Sequence, residues 1–423
     1  MDRIPTEILS YILGFSIQES PPFCSKHGHR KEELAAVSRT WREIILNTPR
    51  FWCIINISNR WPLSSVKQHV EGSRGHLLDI VIRSCEKENF VKRLDVVIPH
   101  IQRWRTLIVS CQDDDKVLSL LLRKLGNSTL PHLVHVEVWE SENAPMRFLR
   151  PKNTPALERL QLDGLPRDCF PSHGKRRAQA RPTLPSQLLS QRLTALSLLI
   201  DTPNISLQPN SIILPLLTSL SLRVATPRKL MEAIVAPKLV SFCIKRNVSN
   251  IKLSTVFNDL GDKYNGVQNL ALCGPFHEQK LEDAKAVCLT FPKVQNVEIA
   301  IEEIPIFCGK DQNNMFPADH WDQLQCLVVN FYGYYEVPYG GELESWLQRR
   351  SDQNRSKLRV VLMDFPEGHN MEFEDTIHSM LPYLLDAVKE LCMLEFINAP
   401  LGHGVGLTVH KNFPLQVVGA IMV

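Results

Sequence analysis

Leu217-Thr218-Ser219-Leu220-Ser221-Leu222 states the rule on which most of the chain is built: apolar-x-x-apolar-x-apolar. Its second half alternates, as a strand with one buried face must. The same unit returns at Leu133, Val136, Val138; Leu157, Leu160, Leu162; Leu193, Leu196, Leu198; Leu239, Phe242, Ile244; Val267, Leu270, Leu272; Val294, Val297, Ile299; and Leu324, Leu327, Val329. Successive first positions lie 24, 36, 24, 22, 28, 27 and 30 residues apart. A period so nearly constant is the signature of stacked repeats. Roughly twenty residues separate one strand from the next, too many for a hairpin and enough for a helical or irregular return. The expected fold class is therefore α/β: a parallel sheet on one side, return segments on the other. A doubly wound α/β domain is the competing architecture, disfavoured because Pro-rich returns such as Thr202 to Pro215 make poor helices.

The pattern extends to both flanks. Leu78, Ile80 and Ile82 alternate as a first strand, and Pro99 to Val109 reads as a short helix turning into a second. Lys357 to Phe365 and Leu391 to Ile397 read as late strands, with Met380 to Lys389 helical between them. Side chains between the apolar anchors face the opposite side of the sheet, where they form a candidate recognition surface. His135, Glu137, Trp139, Arg159, Gln161 and Arg223 are its principal members, joined by Asp163, Ser219, Ser221, Ser241, Lys245, Asn296 and Glu298. Mixed charge with an exposed tryptophan suits a protein or peptide, because Trp and Arg dominate interface energetics.

The first fifty-odd residues follow another rule. Ile4-Pro5-Thr6-Glu7-Ile8-Leu9-Ser10-Tyr11-Ile12-Leu13 places Pro5 where a first helical turn tolerates it, then Ile8, Leu9, Ile12 and Leu13 as one apolar stripe. Lys31 to Leu46 reads as a second amphipathic helix, with Leu34, Val37, Trp41, Ile44 and Ile45 on one side and Arg39, Arg42 and Glu43 on the other. A module this small buries too little surface to be stable alone. It calls for a partner or a larger body.

In the order of Ile4-Pro5-x-Glu7-Ile8-Leu9, Val37-Ser38-x-x-Trp41-Arg42 and Thr48-Pro49-x-x-Trp52, the stretch resembles an F-box. That motif docks substrate receptors onto a cullin-RING ubiquitin ligase. The resemblance implies that Ile4, Pro5, Ile8, Leu9, Ile12, Leu34, Val37, Ser38 and Trp41 contact a SKP-type adaptor. Residues 14–30 are longer and more polar than the usual inter-helix connection and look like the insertions of the large F-box families of mushroom-forming fungi. The repeat region resembles an irregular leucine-rich-repeat solenoid. The residue that closes each turn in that family has a clear counterpart only at Asn247, with Ser141, Asp201, Ala225 and Pro275 elsewhere. The implied organisation is an F-box module over 1–59 and a substrate-recognition domain over 60–423. The implied function is that of a non-catalytic receptor, joining the adaptor to a protein substrate whose identity is open. The alternative is a repeat scaffold that binds the adaptor outside any ubiquitin ligase.

Composition sets limits on other functions. The 423 residues are 44% hydrophobic and 22% charged, ordinary for a globular chain. A net charge of +3 gives no reason to expect nucleic acid, and no apolar run approaches the ~20 residues of a membrane span. Eleven scattered cysteines and an N-terminus without a signal-peptide core point to a cytoplasmic or nuclear protein with reduced thiols. No nucleophile elbow, phosphate loop or zinc-protease helix is present. Cys24, His27 and His29 fall short of a four-ligand zinc site, Gly402 to Gly406 lacks a following helix, and Asp113-Asp114-Asp115 suits a helix cap near Lys116. Neither cofactor nor metal is expected. Lys175-Arg176-Arg177 within Arg167 to Arg192 reads as a solvated basic loop, without the interleaved aromatics of a nucleic-acid platform.

Overall fold

The computed structural model describes residues 4–18, 27–83, 86–110, 115–126, 128–139, 146–163, 191–200, 207–224, 227–245, 252–273, 280–330, 341–363 and 388–397. The chain divides into two compact units, Met1–Leu193 and Thr194–Val423. The first begins with α1 (Thr6–Gln18), α2 (His27–Val37) and α3 (Arg39–Asn47). It continues through β1 (Ile54–Ile57), α4 (Leu63–Gly72), β2 (Leu78–Arg83), α5 (Lys87–Val97), β3 (Trp104–Ser110), α6 (Asp115–Leu125), β4 (His135–Trp139) and β5 (Arg159–Asp163). All five strands are parallel and pair in chain order. On the return side α4 packs on α5 and α5 on α6.

The second unit contains β6 (Ala195–Ile200), β7 (Ile212–Ile213), β8 (Ser219–Val224), α7 (Pro227–Ala233), β9 (Ile234–Val235), β10 (Ser241–Lys245) and α8 (Leu253–Phe257). Then come β11 (Asn269–Cys273), α9 (Leu281–Thr290), β12 (Asn296–Ala300), α10 (Ile304–Cys308), β13 (Cys326–Asn330), α11 (Gly341–Asp352), β14 (Leu358–Met363) and β15 (Cys392–Ile397). Its main sheet runs β6-β8-β10-β11-β12-β13-β14-β15, while β7 and β9 form a separate parallel pair. Neither unit shows the order reversal of a doubly wound sheet among its described strands.

The apolar rule explains this order. All anchors of the eight copies are buried, from Leu133 to Val329. They meet in register across neighbouring strands: Leu196 with Leu220, Leu220 with Phe242, Phe242 with Leu270, Leu270 with Val297, Val297 with Leu327. Each such side chain contributes about 1.5–3 kcal/mol on leaving water. The backbone repeats with the same period. The carbonyl of Thr194 accepts from the amides of Thr218 and Ser219, that of Thr218 from Val240 and Ser241, and that of Val240 from Gln268 and Asn269. Gln268 and Gln295 continue the series into the next strands. Where Leu gives way to Phe242, an aromatic cluster with Phe257, Tyr264 and Phe291 fills the wider gap.

The structure changes several details. The single helix expected over Lys31 to Leu46 is two, broken at Ser38, whose extended backbone and side-chain oxygen cap α3 by accepting from the Trp41 amide at 3.1 Å. The expected insertion over 14–30 is partly helical: Gly14 to Gln18 continue α1 and His27 to Arg30 open α2. Gly14 and Ile17 are buried, so this part of the segment serves the core. The helix expected near Lys116 starts at Asp115.

Candidate functional site

The three N-terminal helices have a core of their own. Leu13, Ile17, Ile44, Ile45, Phe51 and Trp52 form it, with Leu9, Leu34, Ala35 and Trp41 packed at its edge. Arg50 fastens the following turn to α1, donating to the carbonyl and the hydroxyl of Ser10 at 2.7 and 3.1 Å. Leu9, Leu13 and Ile17 spend the inward side of α1. The apolar stripe expected from Ile8, Leu9, Ile12 and Leu13 is thereby split in two. Ile8 and Ile12 remain 53% and 45% exposed, beside Ile4 at 46%, Tyr11 at 58% and Phe15 at 52%.

Of the nine residues expected to meet an adaptor, Ile4, Pro5, Ile8, Ile12, Val37 and Ser38 are exposed, whereas Leu9, Leu34 and Trp41 lie partly against the internal cluster. Tyr11 and Phe15 belong to the exposed side and were not anticipated. Their rings meet edge to face at 4.7 Å. The signal was the i, i+4 spacing of Tyr11 and Phe15, parallel to that of Ile8 and Ile12.

The module is joined to the first strand unit through Trp52. Its indole N–H donates to the carbonyl of Ile45 at 2.9 Å, and its ring meets His69 of α4 edge-on. A Cβ added at Gly72 would sit 2.7 Å from the indole Cγ, so the last turn of α4 needs glycine here. Lys31 is buried in the same place, its ammonium 5.0 Å from the indole centroid and donating to the Phe51 carbonyl at 2.9 Å. Nδ1 of His69 faces the Ser65 carbonyl at 2.8 Å and must carry the proton there, leaving Nε2 to accept from Lys31 at 2.5 Å. Burial lowers the Lys31 pKa to about 8, against the opposing pull of Cys53 and Glu32.

The polar face of the first sheet brings five of the expected recognition residues together. Registers align Asp79, Thr106, His135 and Arg159 in one row, and Val81, Ile108, Glu137 and Gln161 in the next. Arg105 pairs with Asp79. Glu137 is buried and accepts from the Trp139 indole N–H at 2.6 Å; burial raises its pKa, and that hydrogen bond opposes the rise. His135 lies 3.8 Å from Glu137, and burial, aided by Arg159 and opposed by Asp79, lowers its pKa to about 4. It is neutral at physiological pH. The rows offer a neutral imidazole, an indole already committed to a carboxylate, and the exposed guanidinium of Arg159. These groups can donate or accept hydrogen bonds. The sixth residue, Arg223, belongs to the second unit and is exposed on β8.

On the polar face of the second sheet, one row runs Ser219, Ser241, Asn269, Asn296, Cys326 and Arg359, the next Ser221, Cys243, Ala271, Glu298, Val328 and Val361. Asn296 donates to Asn269 at 2.8 Å and Asn269 to Ser241 at 3.1 Å. Farther along, Cys326, Val328, Val361 and Met363 form a buried apolar cluster on this face.

Cys24, Asp113, Asp114, Gly402 to Gly406, Lys175-Arg176-Arg177, the turn positions Ser141, Asp201, Ala225, Asn247 and Pro275, and most of the expected Met380–Lys389 helix lie outside the described residues. Among the described residues no group of three or more His, Cys, Asp or Glu is placed to hold a metal ion, and no helix is long and apolar enough to cross a membrane. No protein-family model matches this chain, and none of the curated proteins compared with it matches either.

Proposed function

We propose that this chain is the substrate-recognition subunit of an SCF-type cullin-RING ubiquitin ligase, with α1 to α3 as an F-box and the stacked strand units as irregular leucine-rich repeats. One observation carries the reading. A helical module that already has a core leaves Ile4, Ile8, Tyr11, Ile12, Phe15 and Val37 open to water. Ile8, Tyr11, Ile12 and Phe15 share one face of α1, and apolar surface gathered in this way marks a place where another protein docks. The residue order Ile4-Pro5, Val37-Ser38-x-x-Trp41 gives that protein its class, a SKP-type adaptor.

The polar strand face, with Arg159, Trp139 and the neutral His135, receives the substrate. The chain performs no bond-making of its own. Holding two partners on one molecule raises the effective concentration of substrate lysines near the conjugating enzyme. The setting is the cytoplasm or nucleus.

The test is co-purification of the full chain with a SKP-type adaptor, comparing wild type with Pro5→Asp/Ile8→Asp. Both positions are exposed, so the variant keeps its fold, and adaptor capture is expected to fall below detection. Equal capture by the variant would remove the docking assignment. Capture of adaptor without cullin would leave a scaffold outside the ligase.

A further inference from the structure

Cys243 of β10 and Cys273 of β11 are thirty residues apart in sequence, and their sulfurs lie 3.7 Å from each other. The register explains the approach. Cys243 stands opposite Ala271, so Cys273, two residues on, projects from the same face of the neighbouring strand. Both cysteines are free. A disulfide bond measures about 2.05 Å, so the sulfurs need to close by less than about 2 Å. Because diagonal neighbours on adjacent strands stand about 7–8 Å apart, β10 and β11 must draw together as they do.

We infer that Cys243 and Cys273 form a reversible peroxide-sensitive dithiol, which closes to a disulfide stitching β10 to β11 on the polar face of the second unit.

The surroundings assign the two roles. The hydrogen bond between the two thiols favours the thiolate at Cys243, and the Ser221 hydroxyl adds a second hydrogen bond to Cys243 alone, while Lys245 acts on both sulfurs. These favour the thiolate at Cys243 over the desolvation that opposes it, so its pKa is lowered. The pKa of Cys273 is raised, first by its hydrogen bond with Cys243, then by burial. Its sulfur also sits 4.0 Å from Oε1 of Glu298, which Asn330 holds with a 2.5 Å hydrogen bond. Cys243 is 5% exposed, which suits a small oxidant better than a bulky one. The contrast with the other described cysteines is plain. Cys53, Cys288, Cys308, Cys326 and Cys392 are buried, and desolvation raises the pKa of each.

The chemistry balances with hydrogen peroxide as oxidant. The Cys243 thiolate attacks one peroxide oxygen; the S–O bond forms, the O–O bond breaks, and the departing hydroxide takes a proton to leave as water. The sulfur of Cys273 then attacks Cys243. The S–S bond forms, the S–O bond breaks, and the second hydroxide leaves as water with the proton of Cys273. Two thiols are oxidised and one peroxide is reduced to two waters.

The experiment treats the reduced full-length protein with one equivalent of hydrogen peroxide and maps its peptides without reduction. A Cys243–Cys273 cross-linked peptide is expected, lost again on treatment with dithiothreitol. In Cys273→Ser, Cys243 should stop at the sulfenic acid, trapped by dimedone when the oxidised protein is unfolded in its presence. In Cys243→Ser, oxidation of position 273 should slow about tenfold or more, as expected when the favoured thiolate is removed. Wild-type protein that stays folded and keeps both thiols free overturns the inference, as does a cross-link that forms only in urea. These outcomes read thiol chemistry alone and are independent of adaptor binding.

Discussion

The apolar residues of α1 and those of the strands are similar in kind and opposite in fate. Along β8, β10, β11 and β12 every anchor is sealed, Leu220 at 0% and Phe242 at 1% exposure. Along α1, Ile8 and Ile12 are as hydrophobic as those anchors and remain about half exposed. A strand unit hides its face against neighbours supplied by the same chain, repeat after repeat. The helical module has used its internal partners on Leu9, Leu13 and Ile17, and among the described residues the outer side of α1 stays exposed. Apolar surface kept open beside a completed core is what a docking site requires.

The comparison breaks first in the sheet if it is wrong. Phe242→Ala, which empties the centre of the aromatic cluster, should cost about 3–5 kcal/mol of unfolding free energy in chemical denaturation. A cost under 1 kcal/mol would mean the repeat core is not packed as described.

Lys31, where the helices join the first strand unit, offers an intermediate effect. Its folded pKa of about 8 lies below the ordinary 10.5, so between those values the unfolded chain holds the extra proton. Stability from this group therefore rises with pH across that window, by at most about 3 kcal/mol. Subtracting the pH profile of Lys31→Met from that of wild type should expose the rise. Parallel profiles would show that Lys31 is solvated.

The smallest effect sharpens the contrast most. Ile8→Ser on the open side should change stability by no more than about 0.5 kcal/mol, measured in the same denaturation assay. A loss comparable to that of Phe242→Ala would mean Ile8 is already covered within this chain.

The strand order was legible because the anchors recur in phase. A one-residue slip would turn Leu220 or Leu270 to the wrong side, so the pattern itself selects the register. Five of the expected recognition residues share a face for the same reason, since their positions alternate with anchors. Periodicity served α1 less well. Ile8-Leu9 and Ile12-Leu13 are adjacent pairs, and neighbours in sequence point about 100° apart on a helix, so one broad stripe concealed an inner and an outer side. Lys31 stands in the run Arg30-Lys31-Glu32-Glu33, which reads as solvated. Its burial depends on Trp52 and His69, tertiary neighbours no local window contains. The Cys243–Cys273 approach was hidden likewise, since it appears only once two strands are set side by side.

Trp52 bears on how the molecule can be dissected. Its indole is held by Ile45 from one side and by His69 and Gly72 from the other, like a rivet through two plates. A fragment starting at residue 60 would strip His69 and Gly72 of Trp52, take Lys31 from His69, and remove β1, the edge strand. A peptide ending at 59 would carry a naked tryptophan. Excision would injure both halves, so single changes on the outer side of α1 are the cleaner scalpel.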